Sequence, residues 1–165
     1  FVLCVATIEA RKDHATLLRA WRLLRERHGA AVPALVLAGR AGFGAEAALA
    51  MLGEGVHWLP GLGDAEIAAL YRACLFTVFP SLEEGWGLPV TEALSLGRLV
   101  LAADRPALRE AGGNAALFFP PGDAAALADA AWDLLAHPAR RAALEAGLAR
   151  RAPLRPWRAV AEGLA

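Results

Sequence analysis

Six short apolar runs punctuate the chain, each followed by a stretch with a different period. Phe1–Ala6, Ala34–Ala38, Val56–Leu59, Leu75–Phe79, Leu99–Ala103 and Ala116–Phe119 lack the in-out alternation of a half-solvated strand. All six predict strands, and Phe1–Ala6 and Leu75–Phe79 read as buried ones of the kind a parallel sheet carries. Between them, apolar positions recur at helical spacing. Asp13 precedes a helix over His14–His28 whose Leu17, Leu18, Trp21 and Leu24 form one stripe. A helix is expected from Gly44 to about Leu52. Asp64 is read as the cap of a third, with Ile67, Leu70, Tyr71 and Cys74 on one face. Leu88–Leu96 carries Val90, Ala93 and Leu94, places Pro89 in its first turn and stops at Gly97. Asp104–Asn114, with Pro106, Gly112 and Gly113, reads as a loop. Helices are then expected over Ala124–Ala136, begun by Asp123, and over about Pro138–Arg151. Pro153 and Pro156 lead into a last segment with Trp157, Val160 and Leu164 on one face.

Strands alternating with helices at this spacing predict a Rossmann-like, doubly wound parallel sheet of about six strands with helices on both faces. At 165 residues the chain fits one domain, spanning residues 1–165. Its 57% hydrophobic and 21% charged content argues for a filled core rather than disorder. Seventeen basic and seventeen acidic residues cancel, so nothing marks a nucleic-acid partner and any bound phosphate must be met locally. Cys4 and Cys74 are too far apart for a CxxC or metal motif and are expected as buried free thiols. No apolar run is long enough to span a bilayer, so no transmembrane segment is expected. The chain opens directly on a strand with no initiator methionine, which suggests a fragment of a longer protein.

Pro80–Glu92 is the densest stretch in chemistry. It places Glu84, Gly85, Gly87 and Glu92 where a strand's carboxyl end passes into a helix. A helix start offers unpaired N–H groups and partial positive charge to a phosphate, and the glycines let backbone approach closely. Glu84 lies ahead of the helix and Glu92 about a turn inside it, so the two carboxylates face different parts of one extended ligand. Each can accept hydroxyls from a sugar diol. On spacing alone, solvated acids near a helix N-terminus explain them equally well. Arg11 and Lys12 lie in the loop after the first strand, at the edge where open α/β sheets bind ligands. The three glycines from Gly39 to Gly44 do not follow a dinucleotide fingerprint. His57 is read as a strand-surface residue, and Trp132 and Trp157 as packing residues.

Glu84-Gly85-Trp86-Gly87-Leu88-Pro89, continued by Glu92-Ala93-Leu94, resembles the Glu-x7-Glu signature of the C-terminal domain of group 1 (family 4) retaining glycosyltransferases of the GT-B fold. Thr7–Lys12, Leu35–Arg40, Asp64–Tyr71 and Pro120–Leu127 agree in order and spacing, so the resemblance covers nearly the whole chain. It implies a nucleotide-sugar-binding domain whose missing partner is an N-terminal, acceptor-binding domain of the same protein. By this resemblance Lys12 meets the donor diphosphate, Glu92 the ribose hydroxyls and Glu84 the transferred sugar. Thr7, Gly39, Arg40, Gly85, Trp86, Gly87 and Leu88 border the nucleotide sugar. The resemblance further implies a cytoplasmic, metal-independent enzyme with no cofactor, since the nucleotide sugar is a substrate. The acceptor would be a sugar or lipid-linked saccharide, and membrane association would come through the missing domain.

Two departures stand out. Many members carry Gly-Arg upstream of the lysine, whereas this chain has Ala6-Thr7 and a loop one residue shorter, leaving either no second phosphate clamp or Arg11 in that role. Pro60 stands where the pattern has glycine, removing a backbone donor near the base. The alternative functions are a non-catalytic nucleotide-binding or interaction domain, or another GT-B enzyme such as a nucleotide-sugar epimerase or a glycogen phosphorylase-like enzyme.

Overall fold

The computed structural model describes residues 1–149. Six parallel strands, β1 (Val2–Val5), β2 (Leu35–Ala38), β3 (Val56–Leu59), β4 (Thr77–Phe79), β5 (Val100–Ala103) and β6 (Ala116–Phe119), form one sheet in the order β3-β2-β1-β4-β5-β6. Val2 to Val5 pair in register with Leu35 to Ala38, and Leu3 pairs with Thr77 on the other side. The chain therefore reverses direction across the sheet between β1 and β4, at the switch point where such folds open a crevice.

The helices are α1 (His14–His28), α2 (Ala45–Leu49), α3 (Asp64–Ala73), α4 (Leu88–Ser95), α5 (Pro106–Gly112), α6 (Ala124–Ala136) and α7 (Pro138–Ala149). Right-handed crossovers put α1 and α2 on one face and α3, α4 and α5 on the other. α6 returns to the first face, against α1. Strands β1, β2, β4 and β5 are buried along their whole length, because both faces are covered. Trp21, Phe76, Leu17, Leu24, Leu101 and Leu108 fill the core.

Most predicted bounds agree within a residue or two, and α1, β3, β6 and α6 coincide. Three expectations are corrected. Asp104–Asn114 is not a loop, because Pro106 opens α5 as an N-terminal proline can, and Leu108 and Gly112 bury one side of it. Asp64 does not cap α3: Gly63 is the cap, and the Glu66 carboxylate accepts from its N–H at 2.8 Å. α2 ends at Leu49, short of Leu52. Cys4 and Cys74 are buried and free, and His57 is exposed on β3. Trp132 stacks on His28 with ring centroids 3.5 Å apart. Trp157, Val160 and Leu164 lie outside the described residues, as does the end of the helix expected to reach Arg151.

Candidate functional site

Three loops leave the carboxyl ends of β2, β1 and β4 side by side, and backbone hydrogen bonds join them into one surface. Ile8 N–H donates to Arg40 O and Gly42 N–H to Ile8 O, both at 2.8 Å, tying the β1 loop to the β2 loop. On the other side Leu82 N–H donates to Arg11 O at 2.8 Å, tying the β1 loop to the β4 loop. The β1 loop is thus held from both flanks. Gly39 makes the first junction possible, since a Cβ there would stand 2.0 Å from Ala6 O. Its carbonyl accepts from Trp58 Nε1 at 2.9 Å.

The basic residues of the β1 loop sit in a single 3-10 turn, Ala10–Lys12, followed by Asp13 in the left-handed region at φ 47°. Aspartate tolerates that region because its short side chain bonds locally, here by accepting from Thr16 N–H at 3.2 Å to cap α1. The turn drives Lys12 inward, to 7% exposure, and leaves Arg11 outside. Lys12 Nζ meets Glu84 Oε1 at 2.5 Å, and both side chains are only 9% exposed. Ser81 Oγ, itself buried, donates to the same Oε1 at 2.9 Å. Arg11 reaches Glu84 Oε2 at 3.8 Å and pairs with Glu9 at 2.6 Å. Two cations thus face two carboxylates, and about half of the Arg11 side chain remains in water.

Beneath this cluster, Cys4 Sγ and His14 Nε2 approach to 3.8 Å. Burial pushes the Cys4 thiol up to about 12 and, with the Lys12 charge, holds the His14 ring down to about 4. Both are neutral at pH 7, so Lys12 and Glu84 are the charges that matter here.

Gly87 caps α4 in the left-handed conformation, φ 65°, and is buried. A Cβ there would lie 2.8 Å from Ala111 Cβ and 3.4 Å from Ala107 O. Its missing side chain therefore makes room for α5, which seats the α4 N-terminus against the sheet. Gly85 is in open space, and Trp86 and Leu88 are exposed. Glu92, in the second turn of α4, is joined to α3. The buried Tyr71 hydroxyl is 3.3 Å from Pro89 O and 3.5 Å from Glu92 Oε2. Desolvation raises the Glu92 carboxyl, Tyr71 opposes this, and the Asp64 charge adds to it.

The sequence-predicted residues thus fall into two groups on one sheet edge. Arg11, Lys12 and Glu84 are in direct contact, with Thr7, Gly39 and Arg40 in the loops beside them. Glu92 is paired with Tyr71. Ser81, Glu9 and the Tyr71 contact were not anticipated, although a serine three residues before Glu84 at a strand exit is a signal for the first. Among the described residues no three His, Cys, Asp or Glu side chains gather into a metal-ligating group, and no helix is long and apolar enough to cross a membrane.

The profile of the family described as glycosyl transferases group 1 matches residues 1–149. The O-antigen chain mannosyltransferase B of Escherichia coli is 33% identical over 132 residues, which are 77% of this chain and 34% of that protein. The chain thus spans about a third of that relative's length. Among solved structures, Anabaena Alr3699/HepE, described in complexes with UDP and with UDP-glucose, superposes with a TM-score of 0.75 at 21% identity, covering 90% of this chain and 42% of that one. The catalytic domain of cholesterol-alpha-glucosyltransferase from Helicobacter pylori gives 0.72 at 19% identity, covering 91% and 95%. These two likenesses speak to the fold.

Proposed function

The chain belongs to the glycosyl transferases of group 1, and on that premise we propose that it is the donor-binding part of a retaining hexosyltransferase acting on a nucleoside-diphosphate sugar. The observation that carries this reading is the carboxyl edge itself, where Glu84 is held by Lys12 at 2.5 Å beside the exposed Arg11 and near the start of α4. A nucleotide sugar offers two phosphates, a ribose diol and a sugar diol, and this edge supplies a partner for each. Lys12, with three N–H donors of which Glu84 occupies one, and Arg11 meet the diphosphate. Unpaired N–H groups at Gly87 and Leu88 add to the charge stabilisation of the leaving group. Glu92 takes the ribose hydroxyls and Glu84 the transferred sugar, with Gly85 and Trp86 alongside. Thr7, Gly39 and Arg40 line the nucleotide side.

As the diphosphate leaves, the acceptor hydroxyl's oxygen bonds to the anomeric carbon from the same face and its proton passes to the departing phosphate oxygen, so configuration is kept and Glu84 orients the sugar rather than attacking it. No metal or other cofactor enters this reading. The acceptor, a sugar or lipid-linked saccharide, binds an N-terminal domain of the longer protein, through which any membrane association would arise. The free thiols of Cys4 and Cys74 suit a cytoplasmic enzyme. The names of the relatives, a mannosyltransferase and a glucosyltransferase, support hexose transfer, and the UDP and UDP-glucose complexes of Alr3699/HepE support a nucleotide-sugar donor.

Titration of the purified chain with UDP, GDP and their glucose and mannose esters, followed by amide chemical shifts, tests the reading. Glu92→Ala should weaken diphosphate and nucleotide sugar alike, by roughly 1.5–3 kcal/mol for a hydrogen bond to a charged acceptor. Glu84→Ala should weaken mainly the nucleotide sugar. Equal loss of the bare diphosphate in Glu84→Ala refutes the assignment.

A further inference from the structure

We infer that Ser81 is a positioning residue that dedicates one oxygen of Glu84 to the protein and leaves the other, Oε2, for the donor sugar's hydroxyl; this rests on the role proposed for Glu84. A carboxylate oxygen has two lone-pair directions. At Oε1 both are taken, by Lys12 Nζ at 2.5 Å and Ser81 Oγ at 2.9 Å. Oε2 has the Arg11 guanidinium 3.8 Å away, an ion-pair distance beyond hydrogen-bond reach. The two oxygens are therefore unlike, and the carboxyl group cannot rotate to exchange them without breaking both bonds on Oε1.

Ser81 is placed for this by the fold. It is 2% exposed at the exit of β4, and the adjacent Leu82 N–H is pinned to Arg11 O at 2.8 Å. Its hydroxyl can neither swing into water nor move with the loop. Lys12 alone would not give the same constraint, because an ammonium holds its partner as a point charge and, once it also serves a phosphate, can shift between the two. A second donor from a rigid loop fixes the carboxylate plane. Arrangements of this kind determine the angle at which a sugar hydroxyl is met, which binding of the diphosphate does not sense.

The experiment measures, on the purified chain, the ratio of affinity for UDP-glucose over UDP and for GDP-mannose over GDP. Whichever pair the native chain binds more tightly as the nucleotide sugar is carried forward. Ser81→Ala should lower that ratio by about two- to tenfold, the range for one lost hydrogen bond, while the bare diphosphate affinity stays near native and the chain stays folded. Ser81→Thr, which keeps the hydroxyl, should restore most of the ratio. The inference is overturned if Glu84→Gln lowers the ratio and Ser81→Ala does not, or if Ser81→Ala weakens sugar and diphosphate equally. If Glu84→Gln also leaves the ratio unchanged, or if neither nucleotide sugar binds, the proposed function fails and the inference with it.

Discussion

Replacing Lys12 by methionine keeps the length of the side chain and removes its charge, which isolates the electrostatics of the Lys12–Glu84 pair. Both side chains are 9% exposed and the contact is 2.5 Å. Breaking a buried pair from one side costs roughly 3–5 kcal/mol, because the remaining charge stays desolvated without its partner. Here Glu84 keeps the Ser81 hydrogen bond and the Arg11 charge, so the lower end, about 3 kcal/mol, is expected. For a chain of this size that corresponds to a fall in Tm of roughly 6–12 °C. Glu84→Gln in the same background removes the stranded charge, so the double variant should recover part of the loss. A double-mutant cycle by urea unfolding at pH 7 should give a coupling energy of about 1–3 kcal/mol for groups in one buried network. Lys12→Met with a native Tm, or single effects that simply add, would show that the two side chains do not meet in solution.

Lys12→Met should also weaken UDP while barely affecting uridine, with the native UDP affinity falling as salt rises; equal loss of uridine in calorimetry would contradict a phosphate role. Gly39→Ala should destabilise the fold by about 1–3 kcal/mol or more, since the added Cβ would meet Ala6 O at 2.0 Å, and a native urea midpoint would refute that geometry. His14 is held down to about 4 from an ordinary 6.5, so the unfolded chain binds the extra proton between those values. Its contribution makes stability decline as pH falls from about 6.5 to about 4, by about 3 kcal/mol in total, and His14→Gln should flatten that part of the urea-midpoint profile. The purified chain of residues 1–165 should transfer no sugar to an acceptor, because register between two reactants supplies about 7–11 kcal/mol and all the site residues lie on one wall. Radiolabelled transfer abolished by Glu84→Ala would overturn that view.

Local pattern was enough for the elements and for the edge on which the chemistry lies. Short apolar runs without alternation and stripes at helical spacing can be read residue by residue, and Val56–Leu59, His14–His28 and Ala124–Ala136 followed from them without tertiary information. The grouping of Glu84, Gly87 and Glu92 at a strand-to-helix passage was equally legible, since all three lie within nine residues. Helix α5 was not, because Pro106 and Gly112 mark a loop as readily as they mark the two ends of a short helix, and what decides between them is the burial of Leu108 beneath it. Nor could the sequence place Lys12 on Glu84, 72 positions away. That contact exists because the winding reverses between β1 and β4, making neighbours of two strands that are three apart in chain order. Hydrophobic periodicity says which face of an element is buried, not which element covers it. Strand order, and with it the assignment of one carboxylate to Lys12 and Ser81 and the other to Tyr71, comes from packing whole crossovers onto both sides of one sheet.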